Sequence, residues 1–270
     1  MEIDKSKIRI GTSGFSYEDW IGPVYPQGTK KEEMLAYYSG ELGFNIVELN
    51  FTYYKQPTSI GMERMLNNVP EGFTFAVKAH ESMTHKIRGG DSSFIRDEGA
   101  FETFLNGVAP LAERGRLKCV LAQFPMKFQR NRDTMDHIKW FADQLKTVRL
   151  VMEFRNQSWV SQSTFDLLKE LGVGYCVVDE PDLPDLVPFT PVFTANPAYF
   201  RFHGRNLRWF NDSAAQRYNY LYNDSELRSV LEPITRVSAV AEETLVFFNN
   251  HFQGSAVKNA KMLKGLVGLP

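Results

Sequence analysis

The chain has 270 residues, a length that suits one large α/β barrel or two ordinary domains. Its formal net charge of -1 excludes a global field that would gather nucleic acid or an anionic membrane, although a local basic patch could still do so. The two cysteines, Cys119 and Cys176, lie inside apolar runs, which excludes a disulfide scaffold and fits a reducing compartment.

The sequence contains no segment typical of export or of membrane insertion. Its first residues lack the apolar run of a secretory signal, and no apolar stretch approaches the roughly 20 residues that cross a bilayer. We therefore expect a cytoplasmic protein without a membrane partner.

Short β-rich runs alternate with amphipathic stretches along the whole chain. The pattern predicts strands at 7–11, 46–50, 73–80, 118–124, 149–154, 174–179, 198–203 and 245–249. It predicts helices at about 30–40, 59–67, 100–112, 134–145, 161–171, 225–237 and 256–266. The Pro- and Asp-rich stretch DEPDLPDLVPFTP is interpreted as a loop over one end of the sheet.

This alternation implies right-handed βαβ units and a parallel sheet. Eight units in 270 residues match a closed barrel better than an open sheet, and the turn GTSGF is not the glycine turn of a dinucleotide-binding sheet. We predict the α/β fold class, with one (β/α)₈ TIM barrel domain over residues 1–270 and a closed, parallel, eight-stranded sheet.

The strands share a pattern on one of their two faces. Side chains alternate between the faces, and the face assigned to the barrel interior is small or apolar at first and polar at the carboxyl end. Ionisable groups cost several kcal/mol inside a barrel unless they are paired or solvated, so these ends should open into the mouth. The pattern predicts one ring of polar side chains, formed by Glu48, Asn50, Lys78, His80, Gln123, Glu153, Arg155, Asp179, Arg201, His203 and Asn249.

Several ring residues also have a structural interpretation. Glu153 and Arg155 could form an ion pair that braces the barrel top. Lys78 could neutralise Glu48 or Glu153, which is favoured over a Schiff-base role. His137 lies in a predicted helix, and we expect it to be exposed.

Aromatic residues directly follow many of the predicted strands. They could stack on a sugar or a base, or they could form a small core under the loops. These residues are Tyr17, Trp20, Phe51, Tyr53, Tyr54, Trp159, Trp209 and Phe210.

The cations of the ring favour an anionic ligand such as phosphate, sulfate or carboxylate. These cations would repel a divalent metal, and the sequence contains no close-spaced metal-ligand motif. We therefore predict no metal or other cofactor, and a divalent ion remains a minor alternative. A glycosidase pair of Glu48 and Glu153 would need a set separation, which the sequence does not define. A nucleophilic triad lacks its GxSxG turn.

Several segments, in fixed order, resemble the YecE-like proteins, domain-of-unknown-function family 72. They are IRIGTSGFSYEDWIGPVYP, VELNFTYYKQP, FAVKAHESMTH, AQFP, EFRNQSW, YFRFHGR and FFNNHFQGSAVKNA. The resemblance spans Ile8 to about Leu266 and implies a (β/α)₈ barrel related in shape to xylose isomerase and endonuclease IV, without implying an activity. The residues carried over by motif are Gly11, Ser13, Gly14, Glu48, Asn50, Lys78, Thr84, His85, Glu153, Arg155, Trp159, His203, Gly204, Asn249 and Asn250.

The resemblance to endonuclease IV does not extend to its zinc cluster. The ring has too few histidine and carboxylate ligands for that cluster and carries Lys78 and Arg155 instead. The shape therefore leaves nucleic-acid binding open and disfavours that mechanism.

We expect an enzyme, of hydrolase or lyase type, that acts on an anionic sugar-like or nucleotide-like ligand at the barrel mouth. The predicted catalytic residues are Glu48, Glu153, Lys78 and His203. The predicted ligand-binding residues are Ser13, Asn50, His85, Gln123, Arg155, Trp159, Asp179, Arg201, Asn249 and Asn250. The alternatives are a nucleic-acid-binding protein, whose binding would weaken steeply with salt, and a ligand sensor without turnover.

Overall fold

Eight parallel strands with helices between them form a nearly closed (β/α)₈ barrel, as the sequence predicts. The computed structural model describes residues 4–90, 93–211 and 214–269. The strands are β1 (Ile8–Thr12), β2 (Ile46–Leu49), β3 (Thr74–Lys78), β4 (Leu117–Gln123), β5 (Leu150–Glu153), β6 (Gly174–Asp179), β7 (Ala198–Phe202) and β8 (Thr244–Phe248). Their hydrogen-bonded order is β1-β8-β7-β6-β5-β4-β3-β2.

Helices lie between the strands along the chain, and the longer ones pack on the outside of the sheet. They are α1 (Met34–Gly40), α2 (Ser59–Asn67), α3 (Glu81–Thr84), α4 (Glu98–Glu113), α5 (Arg132–Gln144), α6 (Gln162–Glu170), α7 (Ala214–Arg217), α8 (Asp224–Ser229), α9 (Leu231–Val240) and α10 (Ser255–Val267). Within the described ranges, none of the helices is long and apolar enough to cross a membrane.

The single helix predicted over 225–237 is wrong, because the structure has α8 and α9 there. Pro233 supplies a physical reason. A proline ring clashes with the carbonyl group four residues earlier, here Ser229, but it fits the first turn of a new helix. The chain accordingly ends α8 at Ser229 and begins α9 at Leu231.

The barrel closes where β1 meets β2. Ser13 pairs with Glu48 as an isolated parallel bridge, and the Gly14 N–H donates to the Glu48 carbonyl oxygen at 2.8 Å. A Cβ atom at Gly11 would lie 2.5 Å from the carbonyl oxygen of Ile46. The absence of a side chain at position 11 therefore allows the two edge strands to come together.

Apolar side chains pack on both faces of the barrel wall. The predicted outward residues of β3 and β7, among them Phe75, Val77 and Phe200, belong to the large cluster beneath the helices. A separate interior cluster contains Ile46, Ala76, Cys119, Leu121, Val151, Cys176, Val178, Val187, Tyr199, Leu245 and Phe247. Val187 comes from the Pro- and Asp-rich loop, so this loop does reach the end of the barrel interior.

The prediction that His137 is exposed is wrong. Its side chain is fully buried in α5 and stacks on Phe94 with ring centroids 4.1 Å apart. Its spacing from Thr134, Ile138 and Phe141 places it on the buried stripe of the helix. Burial lowers the pKa of His137 to about 4, so the imidazole is neutral at physiological pH.

Gly11→Ala should lower the free energy of unfolding by about 2 kcal/mol, because the new methyl group forces β1 away from β2. Urea denaturation measures this change. Gly40→Ala is the matched control, since nothing lies within 4 Å of its added Cβ atom and alanine favours a helix. Equal stability of the two variants would contradict the proposed closure.

His137→Phe should weaken the loss of stability in acid. An unfolded histidine binds a proton below a pKa of about 6.5, whereas folded His137 resists protonation down to about 4. Stability therefore falls as the pH drops between these values. From pH 7.5 to pH 5, urea titrations of the variant should lose about 2 kcal/mol less than those of the parent protein. If the parent protein and the variant lost the same free energy of unfolding over this pH range, His137 would not contribute to the pH dependence of stability.

Candidate functional site

Arg201 on β7 connects three strands across the top of the barrel interior. Its guanidinium is 1 % exposed. Nη1 donates to Glu153 Oε2 on β5 at 2.6 Å, and Nη2 donates to Glu48 Oε1 on β2 at 2.6 Å. Ser13 Oγ lies 3.4 Å from Nη2. The predicted inward faces of β2, β5 and β7 therefore do bring their polar ends together.

The two carboxylates of this network have further partners. Glu153 Oε1 accepts from Arg155 Nε at 2.5 Å, and Glu48 Oε2 accepts from the Tyr199 hydroxyl at 2.5 Å. Burial disfavours the charged form of Glu153, but Arg201, Arg155 and His203 outweigh it and hold the pKa of this carboxyl well below its usual range. The contacts favour the ion-pair interpretation, and an acid–base role for either carboxylate stays a prediction.

His203 extends the network toward β8. Its Nε2 atom lies 3.2 Å from Glu153 Oε1, and its Nδ1 atom lies 3.0 Å from the Asn249 amide nitrogen. The amide of Asn249 can donate to Nδ1, which leaves the proton on Nε2 for a hydrogen bond to Glu153. Burial and the nearby Arg155 lower the pKa of His203 to about 3, so the ring is neutral. His203 thus orients Glu153 without adding a charge.

The end of β6 departs from the predicted ring. Tyr175 and Val177 belong to the outer cluster, so alternation places Asp179 outside as well. Asp179 binds Arg205 Nη2 at 2.6 Å and the Tyr222 hydroxyl at 2.6 Å. The placement of Asp179 in the ring is therefore wrong, because the strand presents its other face to the interior.

Glu180, which the strand pattern did not predict, occupies the position predicted for Asp179. Its Oε2 atom accepts from Arg155 Nη1 at 2.8 Å, and its Oε1 atom accepts from the Val187 N–H at 3.1 Å. Burial raises the pKa of Glu180 to about 7 although Arg155 opposes the shift. Cys176 and Val178 lie in the interior cluster, and two-residue periodicity places Glu180 on the same face as these residues.

A cavity of about 310 Å³ opens above Arg201 at the carboxyl ends of the strands. We call it the mouth pocket. Its polar and aromatic lining includes Tyr17, Lys31, Asn50, Tyr53, Tyr54, Lys78, Gln123, Arg201, Tyr218, Asn249 and His251. Four of the predicted ligand-binding residues, Asn50, Gln123, Arg201 and Asn249, and the predicted catalytic Lys78 thus share one cavity.

Lys78 is a partly buried cation of the mouth pocket that has no carboxylate partner among the described residues. Its Nζ donates to Gln123 Oε1 at 2.7 Å and lies 4.5 Å from the centroid of the Tyr53 ring. Among the described residues, no carboxylate oxygen lies within 4.0 Å of Nζ. The interpretation that Lys78 neutralises Glu48 or Glu153 is therefore wrong, because Arg201 occupies that position between the two carboxylates.

The surroundings of Lys78 disfavour its charged form. Burial is the largest cause, the guanidinium of Arg201 adds repulsion, and the pKa falls to about 7 despite the opposing effect of Glu153. Ammonium and neutral amine are thus both populated near neutral pH.

Three other predicted ligand-binding residues lie away from the pocket lining. Trp159 is buried, stacks on Phe154 at 4.3 Å and donates from Nε1 to the Phe128 carbonyl oxygen. Asn250 is buried and donates to the Tyr220 carbonyl oxygen and to an Asn259 amide oxygen. His85 packs edge-on against the ring of Tyr53, a lining residue, with ring centroids 4.9 Å apart.

The predicted aromatic residues divide between the two interpretations. Tyr17, Phe51, Tyr53 and Tyr54 line the mouth pocket, whereas Trp20, Trp159 and Trp209 are buried under the loops. Two lining residues, Tyr218 and Lys31, were not predicted, because they lie outside the predicted strands and so carry no alternation signal. Within the described ranges, no three His, Cys, Asp or Glu side chains converge on a point that could hold a metal ion.

Glu153→Gln should destabilise the protein by about 3 kcal/mol, because it leaves Arg201 and Arg155 buried with one carboxylate fewer. Denaturant titration at pH 7 measures the change. Glu242→Gln is the control, since Glu242 forms an exposed pair with Arg149, and its effect should stay below about 0.5 kcal/mol. A Glu153→Gln variant as stable as the control would contradict the bracing role.

Comparisons with known proteins agree with this architecture. The family model described as "Protein of unknown function DUF72" matches residues 9–270. The UPF0759 protein YunF of Bacillus subtilis (strain 168) is 31% identical over 274 residues, which cover 97% of this chain and 95% of YunF. The crystal structure of a DUF72 family protein from Thermotoga maritima MSB8 has a TM-score of 0.89 and 42% identity, covering 97% of this chain and 99% of its own.

A DUF72 family protein from Enterococcus faecalis V583 is also similar, with a TM-score of 0.84, 28% identity and coverage of 97% and 96% of the two chains. Because the family model spans nearly the whole chain and YunF is more than 30% identical, the resemblance noted in the sequence is confirmed. The chain therefore belongs to the DUF72 family.

Proposed function

We propose that the mouth pocket binds a small anionic ligand and that the protein is an enzyme acting on it. The observation that carries this proposal is the position of Lys78, a lysine in an open cavity whose described surroundings contain no carboxylate partner for it. A phosphate, sulfate or carboxylate group beside Nζ would supply the missing counter-charge. Its arrival would also favour the ammonium form, because an adjacent anion raises the pKa of a lysine.

The other pocket residues support a ligand that carries hydroxyl groups. Asn50, Gln123 and Asn249 bring amide groups to the lining, and the Asn50 Oδ1 atom is buried with no hydrogen-bond partner among the described residues. A buried acceptor of this kind favours a ligand donor. The volume of about 310 Å³ lies at the small end of ligand sites and suits a sugar-sized group.

Lys78 also suits proton transfer to or from the ligand. General acid–base catalysis is most efficient when the pKa of the group lies near the working pH, and the pKa of Lys78 is about 7. In this proposal Glu48 and Glu153 position Arg201, and His203 keeps Glu153 oriented. A ligand sensor with the same pocket would bind the ligand without turnover. A turnover assay therefore distinguishes an enzyme from a sensor.

Lys78→Gln should weaken sulfate binding at pH 6.5 at least about tenfold, since it removes a charge-assisted hydrogen bond to the anion. Isothermal titration calorimetry measures this affinity. Lys146→Gln, at an exposed lysine paired with Asp143, is the control and should bind sulfate as the parent protein does. Unchanged binding by the Lys78 variant would overturn the proposal.

Sulfate affinity should fall as the pH rises above about 7, because Lys78 then loses the proton that gives it a positive charge. Sulfate keeps its own charge over this range, so the change reports on the protein. Between pH 7 and pH 9 the affinity should approach a tenfold decrease per pH unit, and the Lys78→Gln variant should show a flat profile. A flat profile in the parent protein would contradict the assignment.

A further inference from the structure

The mouth pocket continues into a wider groove between α1 and α2. This groove has a volume of about 750 Å³. The two cavities share Phe15, Ser16, Lys31, Phe51 and Tyr54 as lining residues. A ligand whose reacting end lies beside Lys78 can therefore extend over Lys31 into the groove without leaving the protein surface.

The groove has an excess of positive charge. Lys31, Lys55 and Arg64 line it, whereas Glu32 is the acidic residue of its lining. Within the described residues, none of the three cations lies within 4.0 Å of a carboxylate oxygen. Three exposed cations without ion pairs favour a ligand portion that carries phosphate groups.

Apolar and aromatic surface lies beside these cations. Phe15, Leu35 and Met65 contribute to the lining, and the rings of Phe51 and Tyr54 are 40% and 77% exposed. Tyr54 packs edge-on against Tyr53, with ring centroids 4.9 Å apart. Exposed aromatic rings beside a basic surface offer a stacking platform for a flat heterocycle.

We infer that the groove binds the nucleoside portion of the ligand, whose substrate class is then a nucleoside diphosphate or a conjugate of one. This inference rests on the proposed function of the mouth pocket. The base packs on Phe51 or Tyr54, the phosphates lie near Lys31, Lys55 and Arg64, and the group to be transformed reaches Lys78. A fatty chain would leave the cations without partners, and a sugar phosphate would leave the rings uncovered.

Titration calorimetry with ADP, UDP and pyrophosphate tests the inference. A nucleoside diphosphate should bind at least about tenfold more tightly than pyrophosphate, because stacking adds to the phosphate contacts. Tyr54→Ala, or its combination with Phe51→Ala, should abolish this difference and leave pyrophosphate binding unchanged. Arg64→Gln should weaken both classes of ligand. Ile60→Ala is the control, since Ile60 is 67% exposed on α2 and does not line the groove.

Equal affinity for pyrophosphate and both nucleoside diphosphates would overturn the inference, as would an advantage that survives the loss of both rings. Concentration-dependent self-association that disappears in Tyr54→Ala would assign the groove to a second copy of the chain and also overturn it. The sulfate experiment on Lys78 is independent of the groove. Its failure contradicts the proposed function, whereas failure of the nucleoside comparison alone contradicts only the nucleotide assignment.

Discussion

The bridge that Arg201 forms between Glu48 and Glu153 is the constraint on which the polar end of the barrel depends. Burying three charges costs several kcal/mol for each ion unless their hydrogen-bonding capacity is filled. Tyr199, Arg155 and His203 fill most of that capacity on the two carboxylates. Because the carboxylates are engaged below the cavity, the contacts of Lys78 above them, within the part of the chain that the structure describes, are an amide and an aromatic ring instead of a counter-ion. Burial lowers the pKa of Lys78, and repulsion by the same guanidinium lowers it further.

This arrangement separates the support of the site from its working surface. The ion-pair network ties β2, β5 and β7 together, and the neutral His203 carries its hydrogen bonds on to β8. Several side chains of the cavity above lie at the ends of these connected strands. Displacing them would disturb the ion-pair network and cost free energy. Fixed cations and amides of this kind would be pre-organised for the anion that we propose as ligand, since little of the protein would have to rearrange on binding.

Two-residue alternation in the sequence was enough to find the strands and most of the ring, because aromatic outer faces and polar inner ends differ clearly in β3 and β7. In β6 both faces are apolar, so the sequence did not distinguish Asp179 from Glu180. The sequence also could not show that Lys78 lacks a carboxylate partner among the described residues. That depends on which cation lies between Glu48 and Glu153 in the folded protein, and this cation is Arg201. His137 was misjudged by residue type although its helical spacing marked it as buried.

The central claim is that Lys78 is a poorly compensated amine that an anion brings to its charged form. The most direct test is an NMR pH titration of ¹³C-methylated lysines, with the Lys78 signal assigned from its absence in Lys78→Gln. We predict that this lysine titrates near pH 7 and that saturating sulfate moves its titration to higher pH. Titration near the ordinary value of about 10.4, unchanged by sulfate, would contradict the account.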